Sequence, residues 1–319
     1  MRILLIAPSD RTSAPLIEHL VGEGHQLVFY TRAPGASDPE REGVEVVQGE
    51  VDQLDRLRAA AEGCEVIVHL PNPAGASLSL GREALAETQR LVVRGTRRVV
   101  EVALGAKVRR LIHVSSHLAA GDLGLTPLSA LAQAHLLAER DVWRAAAKGA
   151  EVLVLAPAHL VGCPGSPIER LLVDLSDDRI PLFPADSRIG LLDQRDLVAA
   201  LSSALSADVA GEGLVLQGAR LGWRQLGDMV GLATGWPVSM RRVSPRTARA
   251  AARLEAGVLS RLRRRAPAAD PAHLAALIHD PGVDGGPGAR ALGIEYSDVA
   301  AALRSWLERL VAAEQIGAA

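Results

Sequence analysis

His117, His135 and His159, with Ser116, are the side chains best suited to move protons in this chain. An imidazole with an ordinary pKa of about 6.5 gives or takes a proton near neutrality. General acid–base help of that kind is worth roughly 10²–10⁴ in rate. The run His113-Val114-Ser115-Ser116-His117 puts two hydroxyls and two imidazoles at the end of an apolar stretch. His113 lies inside that stretch, and His69 ends another, so both read as packing. The spacing of His113 and His117 invites a zinc reading. On a strand and loop, however, the two nitrogens do not converge, and no third ligand stands nearby, so no metal is expected. Cys64 and Cys163 are far apart and form no Cys-x-x-Cys pair, which fits neither a disulfide framework nor a thiolate metal site. Phenols and amines are scarce: the tyrosines are Tyr30 and Tyr296, the lysines Lys107 and Lys148.

These residues must be positioned by an α/β framework. Short apolar runs at 3–6, 26–30, 44–47, 66–70, 111–114 and 152–155 alternate with helical periodicity at 15–21, 54–61, 84–104 and 131–147. Such alternation is the mark of βαβ units, and right-handed crossovers wind them into a doubly wound parallel sheet. After Gly162 proline and glycine become frequent and the pattern changes. Residues 1–165 therefore read as a Rossmann-type domain and 166–319 as a smaller, mainly helical substrate domain, with 191–217 returning to the sheet and cap helices at 223–233, 246–264 and 298–313. A length of 319 residues suits one α/β core with an appendage. A formal net charge of −2 offers no field for nucleic acid. The first residues, MRILLIAPSD, have too short an apolar run for a signal peptide, and no stretch reaches the roughly 20 apolar residues of a membrane helix. A cytoplasmic protein acting on a small molecule is the resulting expectation.

In order and spacing, several short motifs resemble the extended short-chain dehydrogenase/reductase family, in particular its epimerase, dihydroflavonol-reductase and 3β-hydroxysteroid-dehydrogenase-like branches. They are the strand, loop and helix of 2–27 ending in Gly24-His25, then Gly49-Glu50-Val51, Val68-His69-Leu70 and Arg94-Gly95-Thr96. Beyond these come His113-Val114-Ser115-Ser116, Pro157 with Gly162, Asp193-Gln194-Arg195-Asp196-Leu197 and Ala289-Arg290-Ala291-Leu292-Gly293. The resemblance runs nearly end to end and implies the fold. It implies function only where each working residue is present.

Two working parts depart from the family pattern. Where the family places three glycines to let the backbone approach a pyrophosphate, this chain has Ala7, Asp10 and Ser13. A side chain at each position crowds the turn, and Asp10 brings negative charge, so the expectation is that no cofactor is held. Arg32 matches a position that greets the 2′-phosphate of NADP(H), the nucleotide expected if any binds, and Glu50 lies on the adenosine side. Where the family carries a tyrosine and a lysine on one helix, anchoring on Glu139 places Leu131 and His135; a register shifted by three gives Leu128 and Ala132. Neither register contains the phenol that the lysine charge would activate.

Ser116 matches the family serine that hydrogen-bonds the reacting oxygen. The resemblance gathers His117, His135 and His159 around it, and Asn72 and Leu131 beside the substrate. The reading that follows is a non-redox enzyme, a cyclase, dehydratase or isomerase of a carbonyl-bearing metabolite. The alternatives are an NADPH-dependent reductase or epimerase with a replaced proton donor, and a silent metabolite- or nucleotide-binding protein. The family also implies a homodimer through the helices at 84–104 and 131–147. From Arg241 to Arg265 nine arginines face one acid, Glu255, which suits an acidic partner or carrier or an anionic membrane surface, or simply a solvated helix.

Overall fold

A computed structural model of the chain describes residues 1–7, 10–32, 42–71, 86–120, 130–176, 182–184, 188–238, 241–244, 247, 250 and 282–316, without the side chains of 10–12, 130, 182–184 and 241–243. Seven strands form one parallel sheet: β1 (Arg2–Ile6), β2 (Gln26–Thr31), β3 (Val44–Gln48), β4 (Val66–His69), β5 (Arg110–Val114), β6 (Glu151–Pro157) and β10 (Glu212–Leu216). Their order is β3-β2-β1-β4-β5-β6-β10, and every neighbouring pair runs parallel. The chain thus starts in the middle, winds outward to β3, then crosses back to β4. That reversal beside β1 opens a crevice at the carboxyl ends of the strands, the usual ligand position of such sheets.

Nearly continuous apolar runs form these strands because both faces are covered. Leu5, Leu27, Val68, Ile112 and Leu153 pack against α1 (Asp10–Gly22) and α6 (Gln194–Ala204) through Leu16, Leu20, Leu197 and Leu201. Leu4, Val28, Ile67, Leu111 and Val152 pack on the opposite face against α2 (Leu54–Ala61), α3 (Thr96–Ala106) and α4 (Ala130–Ala146) through Leu57, Val99, Val102 and Val142. α3 continues a π-wound stretch, Gln89–Gly95.

The smaller part is mainly helical. It packs α5 (Pro167–Ser176), α7 (Trp223–Thr234) and α9 (Val299–Ala312) around Leu171, Leu226, Leu303 and Trp306. Against them lies a three-stranded sheet of β7 (His159–Val161), β9 (Arg188–Asp193) and β11 (Ala219–Gly222). Short β8 (Leu182–Pro184) and β12 (Arg241–Val243) pair with each other, and α8 (Gly286–Leu292) lies on β10. Of residues 191–217, only β10 joins the large sheet. Leu191–Asp193 belongs to the small one, because His159↔Leu191 pairing on one side and β11 on the other hold it there. The cap helix expected at 246–264 falls almost wholly outside the described residues.

Asp193 caps α6, accepting from Arg195 N at 2.8 Å, and its carboxylate also takes the Arg195 guanidinium. Asp196 accepts from both Ser297 N (3.1 Å) and Ser297 Oγ (2.7 Å), tying α6 to the segment before α9. The motif Asp193-Gln194-Arg195-Asp196 is therefore a capping and bracing device. Among the described residues no helix is long and apolar enough to cross a membrane.

Candidate functional site

Ile6, Ala7, Tyr30, Thr31, Arg32, Gly49, Glu50, Val51, His69, Leu70, Pro71 and Leu91 line a shallow, open crevice at the carboxyl ends of β1, β2 and β4. Its floor is rigid for local reasons. Tyr30 is buried, and its hydroxyl donates to the Glu50 carbonyl at 2.8 Å while burial pushes its pKa up to about 12. Gly49 N donates to Thr31 O at 2.9 Å. A Cβ at Gly49 would sit 2.3 Å from the Tyr30 hydroxyl oxygen, so only glycine lets this loop close over the ring. Gly95 brings the π-wound helix equally close, since a Cβ there would lie 3.0 Å from Val51 Cγ2.

At the positions where the family carries glycine, Ala7 packs with Leu5 and Leu16 and also lines the crevice, and Ser13 is fully buried. Asp10 begins α1, but its side chain lies outside the described residues, as does Asn72.

Ser116 ends the loop after β5 and starts a short 3₁₀ turn, His117–Ala119; its Oγ accepts from Leu118 N at 3.3 Å. A hydroxyl that accepts from the chain keeps its own proton for donation. His117 is buried, with Nδ1 3.2 Å from the Pro157 carbonyl. A carbonyl only accepts, so Nδ1 carries the hydrogen and Nε2 the lone pair. The His159 ring stands edge-on to it at 4.7 Å between centroids. The structure thus joins Ser116, His117 and His159 at the junction of β5, β6 and β7.

His135 is placed elsewhere. It is fully buried with His69 and His113, whose Nδ1 atoms lie 3.3 Å apart, and neither of its ring nitrogens has a partner among the described residues. Burial pulls His135 down to about 4 and His69 to about 3, and pulls His113 well down with His69 adding to the effect. These three rings are neutral at pH 7 and poor proton acceptors there. Leu131, at the position of the missing phenol, packs against Leu118 and Ala132 as an apolar wall. Neither tyrosine replaces the phenol: Tyr30 is committed to Glu50, and Tyr296 donates to Gly285 O at 2.8 Å.

Ser115 donates to the Glu139 carboxylate, a contact that motif reading did not mark as part of the site. Burial raises the Glu139 pKa, and the Ser115 hydrogen bond opposes the rise. The pair pins α4 to the end of β5 and fixes Leu131 and His135 two turns and one turn before Glu139. The four-residue spacing of His135 and Glu139, both turned toward the sheet, was the signal available in the sequence. Among the described residues no group of three or more His, Cys, Asp or Glu side chains could hold a metal ion.

A doubly wound parallel sheet with a crevice at its strand reversal is the fold of the extended short-chain dehydrogenases/reductases. A family model described as NAD(P)H-binding matches residues 10–176, and the chain belongs to that family. Sterol demethylase protein B of Methylococcus capsulatus is 24% identical over 265 residues, 77% of this chain and 78% of that protein. A ketoreductase of Stigmatella aurantiaca, acting on 4-hydroxy-2-methyl-3-oxo-4-farnesyl-3,4-dihydroquinoline-1-oxide, is 28% identical over 158 residues, 49% of this chain and 45% of that protein. Among solved structures, MoeE5 in complex with UDP-glucose and NAD superposes with a TM-score of 0.72 at 18% identity, over 98% of this chain and 100% of that one. A short-chain dehydrogenase/reductase superfamily protein of Agrobacterium tumefaciens with bound NAD gives 0.71 at 17% identity, over 99% and 100%.

The expectation that no cofactor is held is corrected by these findings: the matched family, over residues 10–176, is NAD(P)H-binding. The structure's own residues fit that group. The crevice stands at the strand reversal, Gly49 keeps its floor open, and the Thr31 hydroxyl in its wall is buried without a partner among the described residues. The loss of glycines weighed against binding because a side chain at each position was read as crowding the turn; it is the family match that overturns this, with Ala7 a small residue in the crevice wall and Ser13 buried.

Proposed function

We propose that this protein is a nicotinamide-nucleotide-dependent reductase or epimerase acting at a carbonyl or carbinol carbon of a small molecule, with a proton donor that is not a tyrosine. One observation carries the reading. Ser116, its Oγ accepting from Leu118 N, stands beside His117, whose tautomer is set by the Pro157 carbonyl. Ser116 donates to the substrate oxygen, and the His117–His159 pair takes up the proton released from a carbinol and returns it in the opposite direction. When bound, the nucleotide supplies the hydride donor and acceptor. Thr31, Arg32, Glu50 and the Gly49 loop would hold its adenosine half. Leu131 and Leu118 provide an apolar wall and exclude water. The ketoreductase activity named for the Stigmatella relative supports a carbonyl substrate.

The reading is tested with nucleotide deuterated at the reactive ring carbon, incubated with a panel of ketones. Deuterium in the alcohol product, lost in Ser116→Ala, is the expected result. A second reading, a non-redox cyclase, dehydratase or isomerase on the same scaffold, is favoured by Leu131 in place of the phenol. Turnover in which deuterium never leaves the nucleotide would select it.

A further inference from the structure

Arg32 follows β2 at the rim of the crevice, where a Rossmann fold meets the 2′ position of the adenosine ribose. Its guanidinium is already engaged. Nη1 lies 2.6 Å from Glu87 Oε1, and Nε lies 3.9 Å from Glu50 Oε1. Arg90 holds the same two carboxylates from the other side, with Nε 2.8 Å from Glu87 Oε2 and Nη1 2.9 Å from Glu50 Oε2, and it reaches Asp52 at 3.4 Å. Two guanidiniums are thus shared among three carboxylates. Hydrogen bonding from Arg90, then from Arg32, holds the Glu87 carboxyl below its usual range, so it is ionised throughout the neutral region.

We propose that Glu87 is a specificity residue: it occupies Arg32 as an internal stand-in for a 2′-phosphate, so that the crevice takes NAD(H) in preference to NADP(H). The proposal rests on the nucleotide binding assumed in the proposed function. A 2′-phosphate brings up to two further negative charges to a rim where three carboxylates already outnumber the two guanidiniums they share, Arg32 and Arg90. It gains Arg32 only by displacing Glu87, which leaves that carboxylate beside the phosphate with Arg90 alone to balance both. A free 2′-hydroxyl has no such conflict. It is a donor to the carboxylates at the rim, and the Thr31 hydroxyl in the same wall, without a partner among the described residues, is suited to a neutral sugar oxygen. An arginine after the second strand alone suggests the opposite preference, and the Glu87 contact reverses it.

The test is equilibrium binding of NADH and NADPH, by calorimetry, to nucleotide-free wild-type protein, Glu87→Gln, and the double variant Glu87→Gln/Arg32→Ala. Glu87 and Arg32 are partly exposed, and Gln keeps the side-chain shape, so the fold is retained. Wild type is expected to bind NADH more tightly. Glu87→Gln should improve NADPH affinity by roughly tenfold, the scale of one charge-assisted contact, with NADH changed by less than about threefold. The double variant should lose the gain. Tighter NADPH binding by wild type, or an unchanged ratio in Glu87→Gln, overturns this inference and leaves the dehydrogenase reading in place. Failure of both nucleotides to bind wild type overturns both together.

Discussion

Gly49 and Ser116 carry their roles for opposite reasons, one by lacking a side chain and the other by orienting one. A methyl at Gly49 would lie 2.3 Å from the Tyr30 hydroxyl oxygen, which is itself fixed by its bond to Glu50 O. Gly49→Ala should therefore displace the Glu50 loop, destabilise the protein by about 1–3 kcal/mol, and weaken nucleotide binding. Urea unfolding paired with nucleotide titration checks both effects; a fall in stability with unchanged affinity would detach the loop from the site. Under the proposed reading, in which Ser116 donates to the substrate oxygen, Ser116→Ala should lower kcat/KM by roughly 10²-fold or more with nucleotide affinity unchanged. Much of this was legible in the sequence: Gly49-Glu50-Val51 and the serine after an apolar run stand out by type and position. The split among the histidines was not. His117 and His135 look alike in sequence, and only the packing of β4 and β5 against α4 decides that one meets a carbonyl and the other two imidazoles.

At the scale of elements, the strands were readable because a parallel sheet covered on both faces demands unbroken apolar runs, as in Ile3–Ile6 and Val66–His69. The return of Leu191–Asp193 to a different sheet was not, since its burial is the same in either one. Helix α8 shows what else pattern reading misses. A Cβ at Gly288 would lie 2.3 Å from the Val215 carbonyl oxygen, and one at Gly285 would lie 2.3 Å from Gln217 N. Glycine at both places lets α8 rest directly on the backbone of β10 and the residue after it. The motif Ala289-Arg290-Ala291-Leu292-Gly293 entered the sequence reading only as part of the family resemblance, and neither the helix over it nor this contact was expected. Gly288→Val should push α8 from the sheet edge and cost several kcal/mol, whereas Gly286→Ala should cost far less, because the atoms nearest its Cβ are side-chain ends of Arg290 and Asp284. Thermal unfolding of the two variants gives the comparison, and equal losses would place α8 off the strand.

For the whole molecule, the cluster of His69, His113 and His135 sets how stability responds to acid. All three rings are buried between the sheet and α4, and all have folded-state pKa values below the 6.5 of an unfolded histidine, with His135 at about 4 and His69 at about 3. As pH falls below 6.5 the unfolded chain takes up these protons and the folded chain does not. Stability present at neutral pH is therefore lost progressively from about pH 6.5 toward pH 4, with a slope approaching roughly 1 kcal/mol per pH unit for each imidazole. Glu139 works against this: its raised pKa makes the folded state the better proton binder above the ordinary carboxylate value, offsetting part of the histidine effect at the acid end. The carboxyl of Glu87, held low by Arg90, loses its contribution only at still lower pH. Urea midpoints measured between pH 7.5 and pH 5 should fall steadily in wild type. In His135→Leu the same plot should flatten by about one proton's worth, whatever the variant's stability at pH 7.5. A slope identical to wild type in that variant would mean that His135 titrates normally in the folded protein, and that the buried cluster does not govern its acid response.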